Sequence, residues 1–193
     1  MRKKVDLRVK LTRQLLKNSL IDLLEDKDIA NITVTELCEG AGINRTTFYA
    51  HHTTVKGIFL EIENDVLIDF EKIFSNLPKG FDLEVIITNL LKFFIDHARV
   101  LNLVLNKKQS FDLMKQLYRY SADKFKKYVI DNMASNKTES MTYLFYGLAY
   151  GVIGIISKWY QNDMQDAVSI IESALTRVMF GILSTIIDFK DII

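Results

Sequence analysis

Between Thr33 and His52 the sequence encodes two short helices and the tight turn that joins them. Thr33 has the side chain of an N-cap, and Glu36 three residues later completes a capping box. Leu37 and Cys38 face inward from the helix that follows. Gly40-Ala-Gly42 then supplies the close approach and the positive φ that a sharp turn needs. Ile43 is the expected core plug after the turn, Asn44 caps the next helix, and Arg45, Thr46, Thr47 and Tyr49 follow within a turn and a half. A short helix carrying small hydrogen-bonding side chains suits the DNA major groove, where its N-terminal residues reach base edges. The spacing therefore predicts a helix-turn-helix.

The remainder also reads as helical. One proline and eight glycines in 193 residues favour helices over a turn-rich β fold. A hydrophobic share of 49% suffices for a sizeable core and excludes wholesale disorder. A first helix is expected from Leu7 to Glu25, with Leu16, Leu20 and either Leu23 or Leu24 at helical spacing and an end at Asp26-Lys-Asp28. A fourth runs from about Thr54 to Asn76, with Ile58, Ile62, Val66, Phe70 and Phe74 along one face. It is long enough to link a head to a body. Pro78-Lys-Gly80 breaks the chain. Further helices are expected at Leu83 to His97, Arg99 to Leu105, Ser110 to Met133, Thr138 or Glu139 to Asn162, and Gln165 to Phe189, with a loop at Ala134-Ser-Asn-Lys137. No internal repeat, low-complexity tract or strand-like alternation is visible.

The net charge of +1 says less than its distribution. Met1 to Lys17 holds seven basic residues against one acidic, whereas residues 61–193 hold 15 against 17. The positive charge lies next to the helix-turn-helix in sequence, where phosphates would be. The lone Cys38 excludes an intramolecular disulfide and fits a reducing compartment. No signal peptide is visible, and the most hydrophobic segment, Leu144 to Ser157, is shorter than the roughly 18–20 residues of a bilayer span. A cytoplasmic protein is expected. His51 and His52 diverge by about 100° on a helix and lack further ligands at metal-binding spacing. Nor does any nucleophile–base pair or phosphate-binding loop mark an enzyme. No catalytic residue, metal or cofactor is expected.

The pattern Thr33-Val-x-x-Leu-Cys-x-x-Ala-Gly-Ile-x-x-x-Thr-Phe-Tyr-x-His51, behind a long first helix, resembles the DNA-binding domain of TetR/AcrR transcriptional regulators. The resemblance runs from Thr12 to Phe59, and the length and helical remainder fit it. His52 stands where the family usually has Phe. Val55 stands where it usually has Lys, with Lys56 one position later. The resemblance implies an all-α chain: an N-terminal three-helix helix-turn-helix DNA-binding domain (residues 1–58) joined to a C-terminal helical ligand-binding and dimerisation domain (residues 59–193). It places Arg45 where a base-contacting side chain usually sits, and an arginine there can bridge O6 and N7 of guanine. The alternative is that Arg45 pairs with a nearby acid such as Glu39. Asn44, Thr46 and Thr47 belong to the same DNA face. Tyr49, His51 and Lys56 fall at or near backbone-contacting positions, and Thr33 and Thr35 frame the other side of the groove.

In the second half, aromatic residues at helical spacing either fill a core or wall a cavity. Regulators of this kind enclose an apolar effector cavity in their middle helices. Phe93, Phe94, Tyr118 and Phe125 are its expected walls here, and His97 is either its polar handle or a satisfied helix-end histidine. Gly147, Gly151 and Gly154 form one stripe, which asks for close helix–helix approach. The partner is either the last helix, through Ile170, Ala174, Val178, Gly181 and Ile182, or a second subunit, since in family members the last two helices form the dimer interface. Trp159 is an expected anchor there. The implied function is a homodimeric, ligand-responsive repressor of a palindromic operator, with double-stranded DNA, a second copy and a small apolar effector as partners. The segment Tyr146 to Gly154 with Lys158-Trp159 also resembles a subgroup in which relatives act as co-activators through a protein partner. In that alternative Asp163, Gln165 and Asp166 would be partner contacts.

Overall fold

A computed structural model of the chain describes residues 2–75, 82–106, 112–132 and 138–184, without the side chains of 2–6, 75, 112, 125, 126, 128–132 and 138–141. Among the described residues there are α-helices, one 3-10 turn (Ile29–Asn31) and no strand. The helices are α1 (Arg2–Leu24), α2 (Val34–Ala41), α3 (Arg45–Tyr49), α4 (Val55–Ser75), α5 (Leu83–Asp96), α6 (Ala98–Asn106), α7 (Asp112–Asn132), α8 (Thr138–Gln161) and α9 (Val168–Leu183). The chain is all-α, as expected. It divides into two compact units, Met1–Val66 and Leu67–Ile193, and α4 contributes residues to both. The expected break at Pro78-Lys-Gly80 and loop at Ala134 to Lys137 lie outside the described residues.

In the first unit Leu16, Leu20 and Leu24 recur every four residues along α1 and are wholly buried. Leu37, Cys38 and Ala41 of α2, Phe48 of α3, and Ile58, Phe59 and Ile62 of α4 are also buried. Ile43 is only half-buried; the wholly buried side chain after the turn is Phe48. Gly42 ends α2 in the left-handed conformation at φ 64°, and its amide donates to the α2 carbonyls it would otherwise leave bare. A Cβ at Gly40 would lie 2.5 Å from Ser19 Oγ, whose hydroxyl donates to the Leu37 carbonyl at 3.0 Å. The two glycines thus do different work: one turns the chain, the other lets α1 come close.

The start of α2 is fastened by charge. The Glu36 amide donates to Thr33 Oγ1 at 3.2 Å, while Glu36 Oε2 accepts from the Thr33 amide at 2.9 Å and hydroxyl at 2.8 Å. Lys27 Nζ donates to the other carboxylate oxygen at 2.5 Å. The Lys27 hydrogen bond first, then those from Thr33, hold the Glu36 pKa at about 2 against an ordinary 4.5. A carboxylate whose folded pKa is depressed stabilises the fold above its unfolded pKa and loses that contribution as pH falls through the folded one. The box therefore acts fully above about pH 4.5 and fades toward pH 2. Urea melts of Glu36→Gln and the parent should differ at neutral pH and converge on acidification. Curves separated by the same amount at every pH would remove Glu36 from the acid response.

The second unit centres on α5, α6, α8 and α9. Asp82 caps α5 by accepting the Val85 amide at 3.1 Å. Buried Ile86, Ile87, Leu90, Leu91, Phe93 and Phe94 make its apolar face. The Tyr160 hydroxyl of α8 donates to the Phe94 carbonyl at 2.6 Å, and burial pushes that phenol's pKa up. Ser157 Oγ donates to Asn106 Oδ1 at 2.7 Å, tying α8 to the end of α6. Gly147 faces Ile182 and Gly151 faces Val178, so α8 and α9 run antiparallel. Between them Asp163 and Met164 take φ of 49° and 55°, and Ala167 is extended. Two left-handed residues followed by an extended one delay α9 to Val168 rather than Gln165; its expected end near Phe189 lies outside the described residues. Among the described residues no helix is long and apolar enough to cross a membrane.

Candidate functional site

α3 has five residues, and its start is set by Asn44, whose Oδ1 accepts the Thr47 amide at 2.7 Å. That bond commits the Asn44 oxygen to capping and leaves Arg45, Thr46 and Tyr49 exposed. Arg45 and Tyr49, four apart, share a face. Among the described residues Arg45 makes no ion pair, with Glu39 or any other acid. Thr47 is half-buried and Phe48 anchors the helix in the core, its ring edge-on to Tyr49 at 5.1 Å. Thr35 and Lys56 are exposed and His51 is half-buried. Thr33 is exposed too, but its hydroxyl is engaged by Glu36.

Two charge arrangements here were not foreseen. Lys17, counted in the basic arm, lies 2.6 Å from Asp65 and 3.8 Å from Glu61, with little of its side chain exposed. α4 thus neutralises that lysine, and the arm's solvent charge is smaller than the sequence count. His52 is buried beneath α3, Nδ1 lying 3.3 Å from Glu61 Oε1 and its ring 5.9 Å from Phe48. Burial lowers its pKa, against the pull of Glu61. It therefore packs as a neutral ring where the family pattern has Phe. No cluster of metal-ligating side chains occurs among the described residues.

The second unit encloses a cavity of about 320 Å³. Phe93, Phe94 and Tyr118 line it, together with Phe70 and Phe74 of α4 and Phe145 of α8. The side chain of Phe125 lies outside the described residues. His97 is not part of the lining. It caps α5, places Nε2 3.2 Å from Asp69 Oδ2 and lies tilted against the Phe93 ring at 4.9 Å. The Lys72 hydrogen bond chiefly, and His97 beside it, hold the Asp69 pKa down. A histidine satisfied by a carboxylate is a helix-end fastener, so the expected polar handle is corrected. Among the described residues the polar lining is Ser121, Lys124 and Lys127 of α7. Their spacing of three, continuing from Tyr118, was the available signal.

The glycine stripe divides. A Cβ at Gly151 would lie 2.9 Å from Val178 Cγ1, and one at Gly147 would touch Ile182 at 4.0 Å, so these two serve α8–α9 packing within the chain. Ala174 and Val178 are half-buried on the facing helix. Gly154 is exposed and a Cβ there meets nothing within 4 Å among the described residues. Trp159, expected as an interface anchor, is 2% exposed. Its indole N–H donates to the Asp166 carbonyl at 3.1 Å, which secures the α8–α9 turn and takes the ring out of any subunit surface. The exposed large apolar side chains described on α8 and α9 are instead Tyr143, Tyr146, Tyr150, Val168, Ile170 and Phe180.

Comparison with known proteins agrees with this geometry. Residues 82–181 match the TetR-type transcriptional regulator C-terminal region. An uncharacterized HTH-type transcriptional regulator of Haemophilus influenzae is 23% identical over 155 residues, covering 76% of this chain and 74% of that protein. The crystal structure of a TetR transcriptional regulator from Streptococcus agalactiae shares the fold, with a TM-score of 0.63 at 18% identity, covering 92% of this chain and 99% of that one. A match to more than half the chain, on an all-α body behind a helix-turn-helix, identifies it: the chain belongs to the TetR family of transcriptional regulators, and it is a regulator rather than an enzyme.

Proposed function

We propose that this regulator is a homodimeric repressor that holds a palindromic operator and releases it when a small apolar ligand fills the body cavity. Residues 1–58 carry DNA binding and residues 59–193 carry regulation and dimerisation. The observation that carries the reading is α3 itself, a capped helix presenting Arg45, Thr46 and Tyr49, with no ion pair to the guanidinium among the described residues. Tyr49, Thr35, His51 and Lys56 supply phosphate contacts. A second copy docks on α8 and α9 through the apolar side chains left exposed there and the open face at Gly154. Such a dimer presents two recognition helices about 34–36 Å apart, one DNA turn. A ligand lowers DNA affinity only by its own preference for a different spacing. α4, which contributes to both units, is the covalent path for that change.

Selection of bound fragments from random DNA tests this reading. The enriched sequences should be palindromes with half-sites one helical turn apart, and affinity for them should fall steeply with salt as counterions are released. Deleting residues 1–4 should weaken binding to every sequence alike and flatten the salt slope by roughly one phosphate contact per lost charge. An enriched pool without two-fold symmetry would reject the dimeric operator. A truncated chain identical to the parent at every salt concentration would remove the arm from the interface.

A further inference from the structure

The body cavity is apolar on every side except one. Among the described residues α4, α5, α6, α8 and α9 contribute apolar side chains to it. α7 contributes Met114, Leu117 and Tyr118, then Ser121, Lys124 and Lys127, so polarity rises along one helix face over roughly 20 Å at 1.5 Å per residue. The Lys124 ammonium sits 5.1 Å from the Tyr120 ring centroid. Neither it nor Lys127 has a carboxylate partner among the described residues. The Ser121 hydroxyl is spent on the Leu117 carbonyl at 2.8 Å. The Tyr118 hydroxyl is buried beside the Tyr146 ring.

We infer that the cavity takes a medium-chain carboxylate, with its tail among the phenylalanines and its head on Lys124 and Lys127; the inference rests on the ligand-responsive reading above only for its consequence at DNA. A cation would be repelled by the two lysines. A neutral apolar ligand would gain nothing from the lysines, and a bare anion would leave the rings unfilled. At about 30 Å³ for a group the size of a water molecule, 320 Å³ holds about ten methylenes. Each buried methylene tightens binding roughly fourfold. Affinity should therefore climb from hexanoate to decanoate and stop climbing beyond about that length.

Titration calorimetry on the full chain without DNA, using sodium decanoate, decanol and decyltrimethylammonium, tests the inference. Decanoate should bind about tenfold tighter than decanol, the worth of one charge-assisted hydrogen bond. Lys124→Gln should remove that advantage while leaving decanol affinity unchanged, and Lys127→Gln should weaken decanoate to a lesser degree. The decanol control separates loss of the head contact from loss of the fold. Decanol binding as tightly as decanoate, a flat chain-length series, or preference for the cationic probe would each overturn the inference. Operator affinity measured with decanoate present is a separate readout. Tight decanoate binding with unchanged operator affinity would leave the site standing and reject ligand-controlled release; no decanoate binding beside release by some other compound would do the reverse.

Discussion

Gly154→Arg is expected to leave a helical protomer that no longer dimerises and binds the selected operator 10²–10⁴-fold more weakly, the effect of losing a second linked binding module. Gly154 is exposed and no described residue lies within 4 Å of a Cβ there, so the side chain can start outward from the subunit. Exchanging glycine for another residue inside a helix also removes a propensity cost of up to about 1 kcal/mol. In the dimer proposed above the cost falls on the interface, where a guanidinium would have to be buried unpaired. Gly151 makes the informative contrast. A Cβ there meets Val178 Cγ1 at 2.9 Å, so Gly151→Leu overpacks the α8–α9 seam and should destabilise the protomer by about 1–3 kcal/mol before any question of a partner arises. Light scattering, far-UV circular dichroism and operator binding together separate the two. A Gly154→Arg protein that remains dimeric would move the interface elsewhere on the second unit.

Arg45→Ala should cost about 1–3 kcal/mol on the cognate site, five- to more than a hundredfold in affinity, and relax preference at one base position in each half-site. The guanidinium is exposed at the first position of α3 and has no ion pair among the described residues, so its removal leaves the fold intact. Asn44→Ala is the control. It deletes the cap on the Thr47 amide, costs about 1 kcal/mol of stability, and weakens binding to all sequences together by loosening the helix. Repeating the DNA selection with each variant distinguishes them. An unchanged base preference for Arg45→Ala would exclude it from reading the operator.

What was legible in the sequence was short-range. Thr33 and Glu36 are three residues apart, as are Asn44 and Thr47, and a capping bond needs only the conformation of the few residues between. Gly42 declared a left-handed position because other residues resist one. Leu16, Leu20 and Leu24 declared the inner face of α1 by spacing alone. These features decided that the chain is helical and where its helix-turn-helix lies. Tertiary structure decided everything that depends on which helix faces which. His97 answers to Asp69, 28 residues away, and not to a cavity. Trp159 turns inward because Asp166 offers it a carbonyl from the next turn of chain. Of three glycines on one helix stripe, two meet α9 and one meets no described neighbour. Rings at helical intervals are the same letters whether they touch or surround a void. Helix periodicity names the buried face of each element but not the distance to its neighbour, and that distance makes the cavity and sets Lys124 and Lys127 at its edge.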